Sequence, residues 1–386
     1  MRIAFFTDTY LPEINGVTNT LSRLGYYLDK SLIQQLVIAP EYEEDNTHCD
    51  SAWRRVYRFK GITTSLSPKS RLAIPAHWNI NKICDDFEPD LIHVTTELGI
   101  GFRGMRYAET RGIPLVMSYH TDFGKYLKYH NLEFMRPIVE SYISWFYSFS
   151  CRTLVPSRCT HNELSQLGYH NLDIWSRGID TSDFSPRSRN EELRNALSGG
   201  KFIFLYVGRL SAEKSLDLLL YAASELEKHF PGLSAFVFTG DGPYIEIIKK
   251  SNLPNVVLTG FKRGGELSEI YASADCFAFP SATETFGNVA LEALASGLPV
   301  VSVNGGGVTD FLIHNNNALL CAPDEASDFT NNLASVMENG ELRTQLSVNA
   351  RKSALSRDWN NIFKGLVDVY AEAIEENSIR SLPRSA

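Results

Sequence analysis

Apolar residues run through this chain in short, nearly unbroken blocks. Each is closed by glycine, proline or small polar residues, and most lead into a segment with helical spacing. Residues 3–6, 36–39, 91–94, 114–118 and 153–156 read as buried strands in the first half, and 202–207, 235–239, 255–258, 276–279 and 299–303 in the second. Blocks this short and this uniformly apolar suit strands covered on both faces. Helices are expected at about 18–29, 215–229, 289–295, 325–338, 341–355 and 362–376. A strand, a glycine-bearing loop and a helix start form the opening of a doubly wound α/β domain. The pattern stops in a polar stretch at 186–200 that contains Gly199-Gly200, then restarts. Two domains are therefore predicted, 1–186 and 187–359, with a helix at about 360–378 packing back on the first.

Composition narrows the class. A chain of 386 residues exceeds one ordinary core, and 44% hydrophobic with 21% charged residues is the balance of a soluble globular protein. A net charge of −8 argues against a general nucleic-acid binder. The six cysteines are scattered with no CxxC, so reduced thiols are expected rather than a zinc site or a disulfide frame. Asp8 interrupts the first apolar run, which does not read as a signal peptide, and no apolar stretch approaches the ~20 residues that span a bilayer. A cytoplasmic protein is expected. Residues 53–82 mix Trp53, Tyr57, Phe59 and Trp78 with seven Arg and Lys, a composition suited to peripheral contact with an anionic membrane or acceptor; a solvated strand-and-loop region is the simpler account.

Candidate chemistry gathers where strands end, since open α/β sheets hold ligands beyond the carboxyl ends of their strands. The 114–118 strand runs into Tyr119-His120-Thr121-Asp122, which places His120 there; a structural histidine is the alternative. Gly16, in Asn15-Gly16-Val17, would let the backbone approach a ligand, although an ordinary turn glycine fits too and no GxGxxG is present. Arg209 and Lys214 follow the 202–207 strand next to a helix start, which is what a diphosphate needs: charge-assisted hydrogen bonds and free amides. The Thr259-Gly260-Phe261-Lys262 turn is placed to line a base pocket. Residues 123–150 are rich in aromatics, among them Phe123, Tyr126, Tyr129, Phe134 and Trp145; helical packing explains most, and a groove for a lipid-like acceptor would use some.

The chain centres on 280–310, PSATETFGNVALEALASGLPVVSVNGGGVTD. It reads as loop, helix, strand and glycine turn, with Glu284 in the loop and Glu292 about two turns into the helix. At 1.5 Å per residue, helical spacing would separate the two by roughly 12 Å, too far for a dyad around one bond and suited to gripping two parts of one elongated ligand. Phe286, Gly287 and Asn288 lead into the helix, whose free N–H groups and dipole favour a phosphate or a hydroxyl-rich group. Glu292 sits among small apolar residues, where a carboxylate needs a partner.

These pieces, in this order, resemble the retaining enzymes of glycosyltransferase family 4, which have the GT-B fold. The resemblance covers nearly the whole chain and rests on the Asn15-Gly16-Val17 loop, His120, the Arg209 and Lys214 pair, and ETFGNVALEALASGLPVV from Glu284 through Glu292. It implies two Rossmann-like doubly wound domains facing across a cleft, with the nucleotide sugar held mostly by the second. Arg209 and Lys214 would then bind the diphosphate, Glu284 the sugar hydroxyls with the Phe286 and Gly287 amides nearby, and Glu292 the ribose. Gly16 would approach the diphosphate and acceptor, and His120 the transferred sugar. No cofactor and no metal are expected, because Arg, Lys and helix dipoles neutralise the leaving group.

YHTDF, RGID, GFKRGGELSEIYASAD and PSATETFGNV resemble the GDP-mannose-dependent α-mannosyltransferases, with sulfoquinovosyl and glucosyl diacylglycerol transferases close by. Arg177 stands where many members have Asn, a departure that agrees with the mannosyl-lipid subgroup, and Asp310 stands where Glu is more usual, which leaves the base open. The expected reaction moves a hexosyl group, mannose favoured, from a nucleotide-diphosphate sugar to a hydroxyl of a lipid or glycan, at the inner face of the membrane if peripheral. A UDP-hexose as donor, a GT-B nucleotide-sugar epimerase and a non-catalytic nucleotide-sugar binder are the competing readings.

Overall fold

A computed structural model describes residues 1–42, 50–64, 67–120, 127, 133–282, 284–323 and 325–381, without the side chains of 63, 64, 67–70, 380 and 381. Thr121-Asp122, Phe123, Tyr126 and Tyr129 of the sequence reading, with Cys49 and the Lys69 side chain, lie outside the described residues. The chain divides into two compact units, Met1–Ser176 with Asn360–Ala386, and Arg177–Trp359.

The first unit carries strands β1 (Arg2–Phe6), β2 (Gln34–Pro40), β3 (Arg54–Phe59), β6 (Leu91–Val94), β7 (Leu115–Ser118), β8 (Arg152–Val155) and β9 (Leu172–Ile174). They form one parallel sheet in the order β3-β2-β1-β6-β7-β8-β9, beside a hairpin of β4 (Ile62–Thr64) and β5 (Ser67–Leu72). Its helices are α1 (Gly16–Lys30), α2 (His77–Phe87), α3 (Gly99–Arg111), α4 (Arg136–Tyr147) and α5 (Arg158–Gln166). The second unit carries β10 (Phe202–Val207), β11 (Ser234–Thr239), β12 (Val256–Gly260), β13 (Cys276–Phe279), β14 (Val300–Val303) and β15 (Ala318–Cys321), all parallel, in the order β12-β11-β10-β13-β14-β15. Helices α6 (Glu191–Ser198), α7 (Leu216–His229), α8 (Ile245–Lys250), α9 (Gly264–Ser273), α10 (Asn288–Ala295), α11 (Ala326–Glu338) and α12 (Gly340–Leu355) belong to it. The last helix, α13 (Trp359–Ser381), lies almost wholly in the first unit.

The uniformly apolar blocks are the central strands: β1, β6, β10 and β13 are buried along nearly their whole length. In the two main sheets the strands that the pattern did not announce, β3, β9 and β15, are edges. β3 carries Arg54, Arg55 and Arg58, and β9 is short and half-exposed, the form in which charged or brief edge strands resist further pairing. The polar stretch at 186–200 is not loop throughout. It contains α6, capped by Asn190 accepting the Leu193 N–H at 3.1 Å and ended by Gly199 at φ 62°. Only Leu193 and Leu197 of that helix pack on the core, too few to mark a periodic face. The units divide earlier, at Arg177. The five described cysteines carry no disulfide; Cys84, Cys276 and Cys321 are buried, and Cys151 and Cys159 half-buried.

Helix α13 is the sequence-expected helix at the end of the chain, and it completes the first unit. Phe363, Leu366, Tyr370 and Ala373 are all buried. The Tyr370 hydroxyl meets His93 Nδ1 at 2.6 Å, and His93 Nε2 meets Ser118 Oγ at 2.5 Å. A polar chain therefore runs from α13 through β6 to β7 inside the core.

Candidate functional site

In each sheet the strand order reverses once, between β1 and β6 and between β10 and β13, and such switch points open a crevice at the carboxyl ends of the strands. In the second unit the loops leaving β10 and β13 carry Arg209, Lys214 and Glu284. Gly208 has φ 154°, and a Cβ at Gly240 would come within 1.9 Å of its carbonyl, so the loops after β10 and β11 lie backbone against backbone. The Leu210 N–H donates to the Asp241 carbonyl at 2.9 Å, and the Tyr206 hydroxyl donates to the Arg209 carbonyl at 3.0 Å. Burial, then the charges of Glu284 and Glu213, hold the Tyr206 hydroxyl well above the usual tyrosine range, so it remains a donor. This frame presents the Arg209 side chain to solvent, 64% exposed, with a 3.7 Å link to Glu213. Lys214 lies in a 3₁₀ turn, Ala212–Lys214, and its Nζ is 2.5 Å from Glu284 Oε1.

Glu284 is held from the other side by the glycine turn. The Gly307 N–H donates to the Glu284 carbonyl at 2.7 Å. A Cβ on Gly306 would fall 2.6 Å from that carbonyl oxygen, and one on Gly307 only 2.0 Å from the Thr285 oxygen. The glycines after β14 thus exist for close backbone approach to the loop that carries Glu284. Gly287, at φ 91°, starts α10 where a side chain would strike Val308. The Phe286 side chain is buried against Phe311, ring centroids 5.1 Å apart, so only its backbone is available to a ligand. Asn288 is the first residue of α10, and Glu292 lies on its second turn. The partner that Glu292 required is Tyr271 of α9, whose hydroxyl donates to Glu292 Oε2 at 2.9 Å. Phe261 follows β12 and is 59% exposed. Arg177 is buried, which pushes its guanidinium down to about 9.

In the first unit Gly16 is the first residue of α1 and exposed. Asn15 caps that helix: its side chain accepts the Val17 and Thr18 N–H groups at 3.0 Å, and Thr18 Oγ1 accepts the Asn15 N–H at 2.9 Å. The glycine leaves the helix start bare of side chain without needing a positive φ. His120, two residues beyond β7, is half-buried with its ring 6.0 Å from that of Trp175. Two acids at the same sheet's switch point escaped the sequence reading. Asp8, after β1, accepts from Thr96 Oγ1 at 2.7 Å and from the Ile100 N–H at 2.8 Å, capping α3 where Leu98 has no side chain to do so. Glu97, after β6, accepts from the Tyr147 hydroxyl at 2.7 Å, and its carbonyl accepts from Tyr142 at 2.6 Å. Burial raises both carboxyls, Glu97 to about 7.

The structure thus joins Lys214 to Glu284 at 2.5 Å, with Arg209 on the same loop as Lys214 and Glu292 on α10, while Gly16 and His120 stand on the first unit. Of the basic residues at 53–82, Arg54 pairs with Asp29 at 3.2 Å and Arg58 donates to the carbonyls of Pro40 and Leu11, whereas Arg55, Tyr57, Lys60, Ile74, Trp78 and Lys82 are exposed. Among the described residues no three His, Cys, Asp or Glu group as a metal site would, and no helix is long and apolar enough to cross a membrane.

Two family descriptions match the chain: Glycosyltransferase Family 4 over residues 14–183 and Glycosyl transferases group 1 over residues 188–353. A GDP-mannose-dependent alpha-mannosyltransferase of Mycobacterium tuberculosis is 31% identical over 96% of both chains. A sulfoquinovosyl transferase of Arabidopsis thaliana is 34% identical over 93% of this chain and 71% of its own. Among solved structures, a sucrose-phosphate synthase from Thermosynechococcus elongatus superposes with a TM-score of 0.81 at 18% identity, covering 97% of this chain and 99% of the other. The two parallel-sheet units are those of the GT-B fold.

Proposed function

The chain belongs to glycosyltransferase family 4 and is a glycosyltransferase that uses a nucleotide sugar, and from this premise we propose that it transfers a hexosyl group, mannose favoured, with retention and without a metal, to a hydroxyl of a lipid or glycan. The observation that carries the proposal is the Lys214–Glu284 contact beside the exposed Arg209 at the second unit's switch point. Two cations lie on the loop after β10, just ahead of the start of α7, an arrangement that suits a diphosphate leaving group. Glu284 is held by Lys214 next to that position, which suits a carboxylate that accepts sugar hydroxyls.

In this reading Arg209 and Lys214 take the diphosphate, Glu284 the sugar hydroxyls, Glu292 the ribose, and the Phe261 turn the base. The Phe286, Gly287 and Asn288 backbone faces the sugar end; Gly16 and His120 serve from the first unit. The C1–O bond to the diphosphate breaks, an oxocarbenium-like centre forms, and the acceptor hydroxyl attacks from the same face. The leaving phosphate takes the acceptor's proton. The two cations offset the charge that develops on the leaving oxygen, the role a metal plays elsewhere.

Mannose and GDP are favoured because the mycobacterial relative at 31% identity is named for them; a UDP-hexose is the second reading, kept because a relative of similar identity is named for a different sugar. The deciding experiment is a thermal-shift panel of GDP-mannose, UDP-glucose, UDP-galactose and UDP-GlcNAc. It is followed by mass spectrometry of lipid extracts incubated with the stabilising donor, and by NMR of the product. A true donor at ~100 Kd adds about 2.7 kcal/mol. An α product formed in EDTA is expected; a β product, or activity that EDTA abolishes, would remove retention or metal independence. Epimerised or hydrolysed UDP-GlcNAc without an acceptor would favour the epimerase. Peripheral membrane contact through Tyr57, Ile74, Trp78 and the exposed cations of 53–82 belongs to the same proposal, as does a cytoplasmic location. Vesicle binding should rise with anionic lipid and fall with salt, and indifference to both would count against it.

A further inference from the structure

We propose that Tyr271 is a positioning residue for the donor: its hydroxyl fixes the Glu292 carboxylate in the orientation that receives the ribose hydroxyls of the nucleotide. The inference rests on the reading of Glu292 as the ribose ligand and adds the group that makes Glu292 competent for it.

Tyr271 lies in the last turn of α9 and is fully buried. Its ring packs edge-on to Phe184 at 5.6 Å and beside Phe277 at 5.8 Å. Phenylalanine would fill that aromatic nest as well, so the feature to explain is the single oxygen. A buried tyrosine hydroxyl is unfavourable unless it finds a partner. This one reaches Glu292 Oε2 at 2.9 Å and the Val289 carbonyl at 3.2 Å. It has one proton to give, and the nearer, charged acceptor takes it. Burial first, then the Glu292 charge, hold the phenol well above its usual range, so the proton stays on tyrosine at any working pH.

The second contact matters to the geometry. Val289 is in the first turn of α10 and Glu292 in the second, so one oxygen gauges the carboxylate against the helix that carries it. A glutamate side chain turns about three bonds, and a half-buried one with no fixed donor would spread over several rotamers. Tyr271 removes that freedom before the ligand arrives. A carboxylate offers about four lone-pair sites, so a bond from Tyr271 leaves acceptor capacity for hydroxyl groups. Holding an acceptor in place ahead of binding raises affinity by lowering the ordering cost.

The rival account is a plain structural tie between α9 and α10. The two differ in what Tyr271→Phe does to ribose recognition. The full chain, as wild type, Y271F and E292A, is titrated calorimetrically with GDP and with 2′,3′-dideoxy-GDP, and with the matching UDP pair, while melting curves are recorded in parallel. Under the proposal Y271F weakens the better-bound diphosphate about tenfold and leaves its dideoxy analogue within about twofold. In turnover the donor KM rises while kcat holds. Equal weakening of both ligands, no weakening of either, or loss of the fold on removing one oxygen would make the hydroxyl a structural tie and overturn the proposal. E292A separates the two levels. If it abolishes the preference for the ribose form while Y271F does not, Glu292 keeps its assignment and Tyr271 loses its own. If E292A retains that preference, the ribose assignment itself falls.

Discussion

Lys214 and Glu284 answer each other's charge at 2.5 Å, each side chain about a fifth exposed, at 19% and 20%. Removing the lysine both strips a cation from the proposed diphosphate site and leaves a half-buried carboxylate without its counter-charge. Lys214→Ala should therefore lower kcat/KM by about 10²–10³-fold, the loss typical of one transition-state charge donor. Undiminished turnover would refute the assignment. Glu97 gives a second residue-scale expectation. Its folded carboxyl sits at about 7, above the 4.5 of an unperturbed glutamate, because burial disfavours its charge. A raised folded value contributes stability that is fully present below the unfolded value and is lost as pH rises through the folded one. Between about pH 4.5 and 7, wild type should lose roughly 3 kcal/mol that Glu97→Gln does not lose, measured as the difference between their urea-unfolding profiles. Arg209, Lys214, Glu284 and Glu292 were legible because charged residues beside apolar strands or inside an apolar helix call for a reason. Tyr271 and Asp8 were not. Their meaning lies in partners farther along the chain, 21 residues away for Tyr271 and Glu292 and 88 for Asp8 and Thr96, which no local spacing exposes.

At the scale of elements, the central strands of both sheets and the edge β12 were readable as apolar blocks, and the edges β3, β9 and β15 were not. β3 alternates arginine with Val56, Tyr57 and Phe59, which reads as surface until β2 is placed beside it in parallel register. The glycine turn after β14 was visible as GGG, but not why the second and third positions need glycine. The answer is the missing volume: the Thr285 oxygen lies 2.0 Å from where a Gly307 Cβ would stand. Gly307→Ala should cost about 1–3 kcal/mol, seen as a lower urea midpoint at unchanged m. Because the turn braces the Glu284 loop, the same variant should raise the donor KM. A neutral outcome would mean that the loop yields more readily than its contacts suggest.

At the scale of the molecule, the first unit is closed by a helix drawn from the far end of the chain. Phe363, Leu366, Tyr370 and Ala373 are all buried in it, and fully burying a large apolar side chain is worth about 1.5–3 kcal/mol. Their sum rivals the ~5–15 kcal/mol that holds an ordinary domain together. A chain ending at Asp358 should keep slow hydrogen exchange in β10, β11 and β13 and lose it in β1, β6 and β7; protection retained in β6 would show that α13 is dispensable. The doubly wound halves were expected from the restart of the strand–helix pattern, but the polar Tyr370–His93–Ser118 line that α13 completes could not be read from residues 277 and 25 positions apart. That line also orders events on the ribosome. The first 176 residues emerge early, yet their core keeps an open apolar seat, and His93 waits for its Tyr370 contact, until the last helix is made. At about 5–20 residues per second, the second unit is translated and free to fold during the tens of seconds that the first must wait. The half of the chain that is born first is therefore the half that finishes last, and the nascent protein depends on whatever shields that seat in the interval.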